Sequence, residues 1–547
     1  MRPRELLPRG PFDLIVIGGG INGAAIARDA VLRRMSVCLI EKGDFAGGTS
    51  SRTSKMVHGG IRYLEQGRLG LVFESLKERA LLLKLAPHLV HPQPFAIPIY
   101  RGASRGRRWI RAGLLLYDLL AIGRRPGRAR MVGPQEAGEL VPGLLARDLD
   151  GAGIYYDAVM DDARLCLANI IDARDRARPG NFYCRSYSEV VERRPTSPIW
   201  LRVRDNVLAE EFDLTAHQVV RAVGPWTDLD RGEGDPILVP SKGIHAVLPP
   251  RSTLLEGAAD ADRHGLLLTH SRDGRVFFVI PWQGLTLVGT TETPFSGSPD
   301  HLKVEAAEVE YLVREFARVF PGVQLGPADL LGVFAGVRPL ARSRGIWSDL
   351  QRASRRHRIS DDGHGTITVA GGKYTTFRAV AEEVVDHLRA GGPCITARTP
   401  FPGGERGPWE AFRAGEGRGW IERFGEETVR ELFGRHGARL NRVLEPALKD
   451  PALAEPVAPG VLRAEIRLSI REEWVAYPED FLLRRTPLRF TPGGGRDVYS
   501  IIEQEIRAAA GAGAPHNLDA ARERYFARLE EEDRLRGVLA TVAAATR

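Results

Sequence analysis

Two kinds of hydrophobic spacing alternate along the chain. Residues 12–17 (FDLIVI) are a short continuous apolar run rich in β-branched side chains, as expected of a strand buried on both faces. A glycine cluster follows, Ala24 to Arg34 then has helical spacing, and 36–40 (SVCLI) reads as a second strand ending on Glu41. The strand-then-glycine order returns at 217–226 (HQVVRAVGPW) and at 365–370 (GTITVA), where Gly371-Gly372 opens a helix running to about Arg389. These strands are expected in one sheet, with 217–224 between the other two. Runs at 275–282 (RVFFVIPW) and 285–293 (LTLVGTTET) alternate with period two and read as strands of a separate unit. Glycine and proline clusters at 391–393 and 401–404 mark a linker, and beyond it 409–437, 461–475 and 495–544 have helical periodicity.

With 547 residues the chain exceeds one ordinary core, so two or three domains are expected. Hydrophobic residues at 43% against 27% charged make a globular composition, not a disordered one. Lys and Arg outnumber Asp and Glu by 77 to 69, a surplus that permits anionic substrates, anionic lipid or nucleic acid and selects none. The four cysteines, Cys38, Cys166, Cys184 and Cys394, have no CxxC spacing. That argues against a zinc site or a disulfide framework and fits a reducing compartment; no metal is expected. The polar start runs straight into the strand at Phe12, so no cleavable apolar leader is expected. The longest apolar run elsewhere, 112–122, contains Tyr117 and Asp118 and is too short to span a bilayer, so any membrane contact is expected to be peripheral.

Gly18, Gly20 and Gly23 complete a GxGxxG between the first strand and its helix, with Ile21 and Asn22 inside the motif. The first glycine makes the turn, the second admits a pyrophosphate to the backbone, and the third packs helix against strand. The helix N-terminus favours the anion. Glu41, at the end of the second strand, is placed to accept from a ribose 2′-OH and to repel a 2′-phosphate, which disfavours NADP. A hydroxyl-rich segment, Thr49 to Lys55, suits phosphate and the polar edges of a flavin, or equally a turn with a helix cap. The second glycine pair precedes Lys373, Tyr374 and Thr375 at a helix N-terminus that could stabilise negative charge on a reduced flavin. Asp161-Asp162 reads as an N-cap for 163–173.

With these elements in order, the chain resembles the aerobic, FAD-dependent glycerol-3-phosphate dehydrogenases. The stretches that carry the resemblance are GGGINGAAIARDA (18–30), TSKMVHGGIRYLEQG (53–67), APHLVHP (86–92), DDARLCLAN (161–169), VGPWTD (223–228), IPWQGLTLVGTTET (280–293), FAGVRPL (334–340) and GGKYTTFR (371–378), with a weaker match at 472–488. Local departures fall at Arg221, Val223, Ile244 and Arg356. The resemblance implies an α/β fold: a Rossmann-like FAD-binding domain of the glutathione-reductase/D-amino-acid-oxidase type, a β-rich substrate domain and an all-α C-terminal domain. The first would comprise 1–85, 150–235 and 330–390, the second 86–149 and 236–329, and the third 400–547. FAD would be held by Gly18, Gly20, Ile21, Asn22 and Gly23, by Glu41 and Lys42, and by Thr49, Ser50, Ser51, Ser54, Lys55, Met56 and His58. Val190, Gly224, Trp226, Gly336, Gly372, Lys373, Tyr374 and Thr375 would complete its site.

The activity so implied is oxidation of glycerol 3-phosphate to dihydroxyacetone phosphate, with hydride transfer to FAD and electrons passed to a membrane quinone, ubiquinone or menaquinone. Arg62, Arg338, Arg355 and Lys373 would meet the substrate or its phosphate, since arginine offers a bidentate fork and lysine a point charge. His58 or His245 would be the base. His58 and Arg62 would share a helix face only if 58–64 were helical, which Gly59-Gly60 argues against. Arg101 to Arg128 brackets an apolar stretch containing Trp109 and Tyr117 with many arginines. It reads either as an interfacial helix on anionic lipid or as a helix covering the protein's own core. The expected location is cytoplasmic, on the inner face of the cell membrane; a homodimer is allowed, and nucleic-acid binding is not expected. Three alternatives stay open: an oxidase passing electrons to O₂, an FAD-dependent amine or amino-acid oxidase, and a flavoprotein without turnover.

Overall fold

The computed structural model describes residues 10–545 except 232–234, 256–257, 259, 271–273, 343–355 and 511–513. One sheet is built on the strand Phe12–Ile17, buried on both faces as its continuous apolar pattern requires. Its neighbours run in the order His357–Asp361, Thr366–Gly371, Glu210–Arg221, Phe12–Ile17, Val37–Ile40, Phe182–Arg185. The strand ending at Arg221 therefore lies between the other two glycine-bearing strands, pairing Ile17 on one side and Thr368 on the other. The helix Ile21–Leu32 packs between Asp162–Arg176 and Phe377–His387, and alanines at 24, 25, 27 and 30 let the three helices approach closely. A Cβ on Gly23 would stand 1.9 Å from the Gly18 carbonyl oxygen, so that crossing demands glycine.

The second sheet meets the first where Gly332–Ala341 packs beside Thr366–Gly371. Its path is Thr293–Pro294, Leu238–Leu248, Leu285–Gly289, Val276–Trp282, Gly265–Thr269, Val90–Tyr100, Leu149–Met160, Met56–Val57. Three strands of this sheet, one of them beside the path, correct the sequence-based boundaries. The strand Gly332–Ala341, expected with the nucleotide unit, pairs along the whole of Leu238–Leu248, from Leu238 with Ala341 to Val247 with Gly332. Leu149–Met160 and Met56–Val57 belong to the same sheet. An apolar strand buried on both faces looks the same in either sheet, because its partner is not written in its own residues. Helix Ala306–Val319 covers this sheet, with Leu312 and Phe316 packed beside Leu535 and Leu539 of the C-terminal helix Leu518–Ala545.

Beyond the linker the described residues form the helical C-terminal unit that was expected, with one short hairpin, Pro456–Ala458 with Val461–Leu462, set into it. This unit is tied to the nucleotide unit by charge. Asp44 receives both guanidiniums of Arg484 and Arg485, the latter at 2.5 and 2.9 Å. Burial opposes ionisation of Asp44, but the two arginines hold its carboxyl below the usual range. Helix Arg107–Leu120 lies at the surface and buries only Leu114 and Tyr117. Among the described residues, no helix is long and apolar enough to cross a membrane.

Candidate active site

A cavity of about 1410 Å³ runs from the glycine loop, between the sheets, to the strand Leu238–Leu248. At one end Glu41 is half-buried against the loop and accepts from the N–H groups of Gly19 (2.6 Å) and Gly43 (2.8 Å). Burial pushes its carboxyl up, while those two donors favour the charged form. Such a carboxylate, at the end of a strand and beside a helix N-terminus, suits a ribose joined to a pyrophosphate. The helix at Ile21 has no side-chain cap of its own; Ser50 Oγ, brought from the hydroxyl-rich segment, accepts from Ile21 N at 2.8 Å. Thr49 Oγ1 donates to the Val337 carbonyl at 2.6 Å, which ties that segment to the second sheet. Lys42 reaches across the opening to Asp300 at 2.8 Å and stands 4.3 Å over the Trp226 ring.

At the other end the second glycine element meets the His58 segment. Lys373 Nζ donates to the His58 carbonyl, and the His58 N–H donates to Thr375 Oγ1 at 3.2 Å. His245 and Arg338, which line the same cavity, come from adjacent antiparallel strands. His245 lies flat on Phe334, with ring centroids 4.8 Å apart, and its Nε2 is 2.9 Å from Ser54 Oγ. Burial, then the charges of Arg338 and Lys55, lower its pKa to about 3, so the imidazole is neutral near neutral pH. Arg338 donates through Nη2 to Thr290 Oγ1 at 2.9 Å.

Most of the residues predicted from the sequence meet in this cavity. Gly18, Gly20, Ile21, Asn22, Glu41, Lys42, Thr49, Ser50, Ser54, Met56 and His58 line it, with Val190, Gly224, Trp226, His245, Gly336, Arg338, Gly372, Lys373, Tyr374 and Thr375. Four do not. Gly23 serves packing beneath the loop. Ser51 and Lys55 turn away, Lys55 Nζ bonding the Ser51 carbonyl at 2.7 Å and Asp162 at 2.6 Å. Arg62 sits on a short helix, Arg62–Glu65, outside the lining. His58 lies ahead of that helix, so the pair shares no helix face. Arg355 falls outside the described residues. Asp161 caps its helix as expected, accepting from Arg164 N.

Sequence reasoning missed Tyr63, which lines the cavity within the quoted HGGIRYLE stretch, and Asp300, on the partner end of the Lys42 bridge. Neither had a local signal. Asp300 matters through a contact 258 positions away, which no spacing encodes.

Residues 13–385 match the family model described as FAD dependent oxidoreductase, and 394–511 match the C-terminal domain of alpha-glycerophosphate oxidase. The glycerol-3-phosphate dehydrogenase of Synechocystis sp. is 35% identical over 504 residues, covering 87% of this chain and 89% of that protein. The aerobic glycerol-3-phosphate dehydrogenase of Bacillus subtilis is 34% identical over 497 residues, with 87% of each chain covered. Among solved structures, the Bacillus halodurans glycerol-3-phosphate dehydrogenase complexed with FAD has a TM-score of 0.72 at 28% identity, covering 98% of this chain and 95% of that one.

Proposed function

The chain belongs to the family of FAD-dependent glycerol-3-phosphate dehydrogenases, and from that premise we propose how its residues divide the work. It is an FAD enzyme that oxidises glycerol 3-phosphate. The residues present fit the cofactor: a half-buried carboxylate at Glu41 suited to a ribose, a glycine turn at a helix N-terminus, and a second helix N-terminus beside Lys373. Bound FAD supplies the acceptor for the hydride from C2 of the alcohol.

The chain's own residues bind the substrate and manage its proton. Arg338 and Lys373, both lining the cavity, bring positive charge to the phosphate and to oxygen that gains charge during reaction. His58 takes the hydroxyl proton. His245 is a poor proton acceptor: a base serves best with a pKa near the working pH, and burial beside Arg338 leaves this imidazole several units below it. Its part is to orient, neutral, against Ser54. The observation that carries this reading is the convergence of Arg338, His245, His58 and Lys373 on the cavity that holds the glycine loop. Anaerobic mixing with glycerol 3-phosphate tests it: the flavin band should bleach, and His58→Gln should slow the bleaching about a hundredfold or more. Bleaching at the wild-type rate in that variant would remove His58 from the role.

For the electrons' onward path, we propose a membrane quinone, reached by docking on the inner face of the cell membrane. Helix Arg107–Leu120 and the turn after it expose Trp109, Leu115, Leu119 and Ile122, and helix Leu69–Leu85 adds Leu69 and Phe73. Exposed Arg108 and Arg111 flank this face, a composition suited to anionic lipid. Flotation with anionic vesicles tests it, and Leu115→Glu with Leu119→Glu should abolish co-flotation. A second reading has its own support, since 394–511 match a domain described from an oxidase. Stoichiometric peroxide formed without added quinone would favour it.

A further inference from the structure

The surface helix Arg107–Leu120 reaches the active site through one side chain. Tyr117 is only 1% exposed, and its hydroxyl donates to Asp157 Oδ1 at 2.7 Å. The same oxygen accepts from Arg79 Nη1 at 2.6 Å and from the Gly59 N–H at 3.1 Å. Gly59 is the residue after His58, whose carbonyl receives Lys373. The fit is tight: a Cβ on Gly59 would lie 2.3 Å from the Tyr117 hydroxyl. Four segments thus meet on one carboxylate oxygen, and the Gly59 N–H is the longest and weakest of its bonds. Asp157 itself is fixed within a long antiparallel pairing, opposite Gln93. Burial and the Asp157 charge push the Tyr117 hydroxyl well above its usual pKa, so it remains a donor throughout the working range.

From this arrangement we infer that Tyr117 is a positioning residue for the oxidation: through Asp157 it holds the Gly59 peptide, and with it the His58 carbonyl on which Lys373 rests. Removing the hydroxyl leaves Asp157 with two donors and opens a space beside Gly59. The His58–Gly60 backbone then shifts, carrying His58 and Lys373 away from the substrate. Displacements of about 1 Å at reacting groups cost about a hundredfold in rate, and a partial shift about tenfold. This inference rests on the functional reading above.

The test uses the full-length, FAD-loaded protein carrying Tyr117→Phe, with flavin reduction by glycerol 3-phosphate followed anaerobically. The expected result is a limiting reduction rate about tenfold lower, with FAD retained, a substrate Kd changed by less than about threefold and a melting temperature within a few degrees of wild type. A purely structural role would move the melting temperature and FAD retention, not this rate alone. Ala112→Ser, at an exposed position on the same helix, leaves Tyr117 in place and should reduce at the wild-type rate. If Tyr117→Phe fails to fold, Tyr117→Leu carries the same test, since it also removes the hydroxyl that holds Asp157. A reduction rate within about twofold of wild type in whichever variant folds overturns the inference. If the wild type itself is not reduced by glycerol 3-phosphate, the functional reading fails instead.

Discussion

Lys373 gives its ammonium to the main-chain carbonyl of His58, joining segments 315 positions apart. A lysine side chain held by a backbone oxygen keeps its charge at a set place and leaves its other two N–H bonds for further acceptors, one directed at Ser75 Oγ at 3.4 Å. Replacing Lys373 by Met removes the charge and retains much of the length. Flavin reduction by glycerol 3-phosphate should slow by about two to three orders of magnitude, as for loss of a preorganised donor to developing charge. FAD should stay bound. Stopped-flow bleaching of the flavin measures it, and slowing of less than about tenfold would exclude Lys373 from the reacting centre.

Arg338 is braced by Thr290, so its guanidinium needs little ordering to meet an anion. Arg338→Ala should weaken glycerol 3-phosphate by about 2 kcal/mol, roughly thirtyfold in KM. Arg338→Lys should recover only part of this, because a point charge does not replace a bidentate fork. Steady-state kinetics with an artificial dye as acceptor decides it. A KM unchanged in Arg338→Ala would place the phosphate elsewhere.

Glu41 accepts two backbone N–H groups through separate oxygens. In Glu41→Gln one oxygen becomes an NH₂ that faces a donor, so the loop loses an acceptor and the ribose loses a charged partner. FAD affinity should fall by about tenfold or more, one to three kcal/mol. Titration of the apoprotein with FAD, followed by quenching of flavin fluorescence, would detect it; unchanged affinity would sink the ribose assignment.

Stability should fall as the solution is acidified from neutrality. Burial lowers His88 and His245 to about 3, against about 6.5 when unfolded. The unfolded chain therefore takes up these protons first, and stability is lost as pH falls from about 6.5 toward 3. Burial opposes ionisation of Glu465, but Arg435 and His436 outweigh it and hold the carboxyl at about 2. Its contribution is present above the unfolded value near 4.3 and lost as pH falls toward 2. His88→Leu should flatten the dependence by up to about 1.4 kcal/mol per pH unit between pH 6 and 4. Denaturant melts across that range, compared with wild type, give the slope; equal slopes would refute the neutral His88.

The first strand, its glycine turn and its helix could be read without the structure, because short-range spacing decides them: a continuous apolar run, glycines where backbone must cross backbone, and an acid at the next strand's end. The second glycine element and the His58 segment were legible for a different reason, as specific strings whose resemblance implied a flavin and a phosphate-bearing alcohol. Which sheet a strand joins was not legible, and 332–341 crossed from the expected unit because hydrogen-bond partners lie on other segments. Ser51, Lys55 and Arg62 had the right residue types, but the direction of each side chain follows from backbone torsions that composition does not reveal. The sequence by itself determined the dinucleotide loop and the kinds of chemistry available. The tertiary structure alone decided that His245 is neutral, that Asp300 faces Lys42 and that Tyr117 reaches Gly59, since burial and contact depend on atoms brought together from distant parts of the chain.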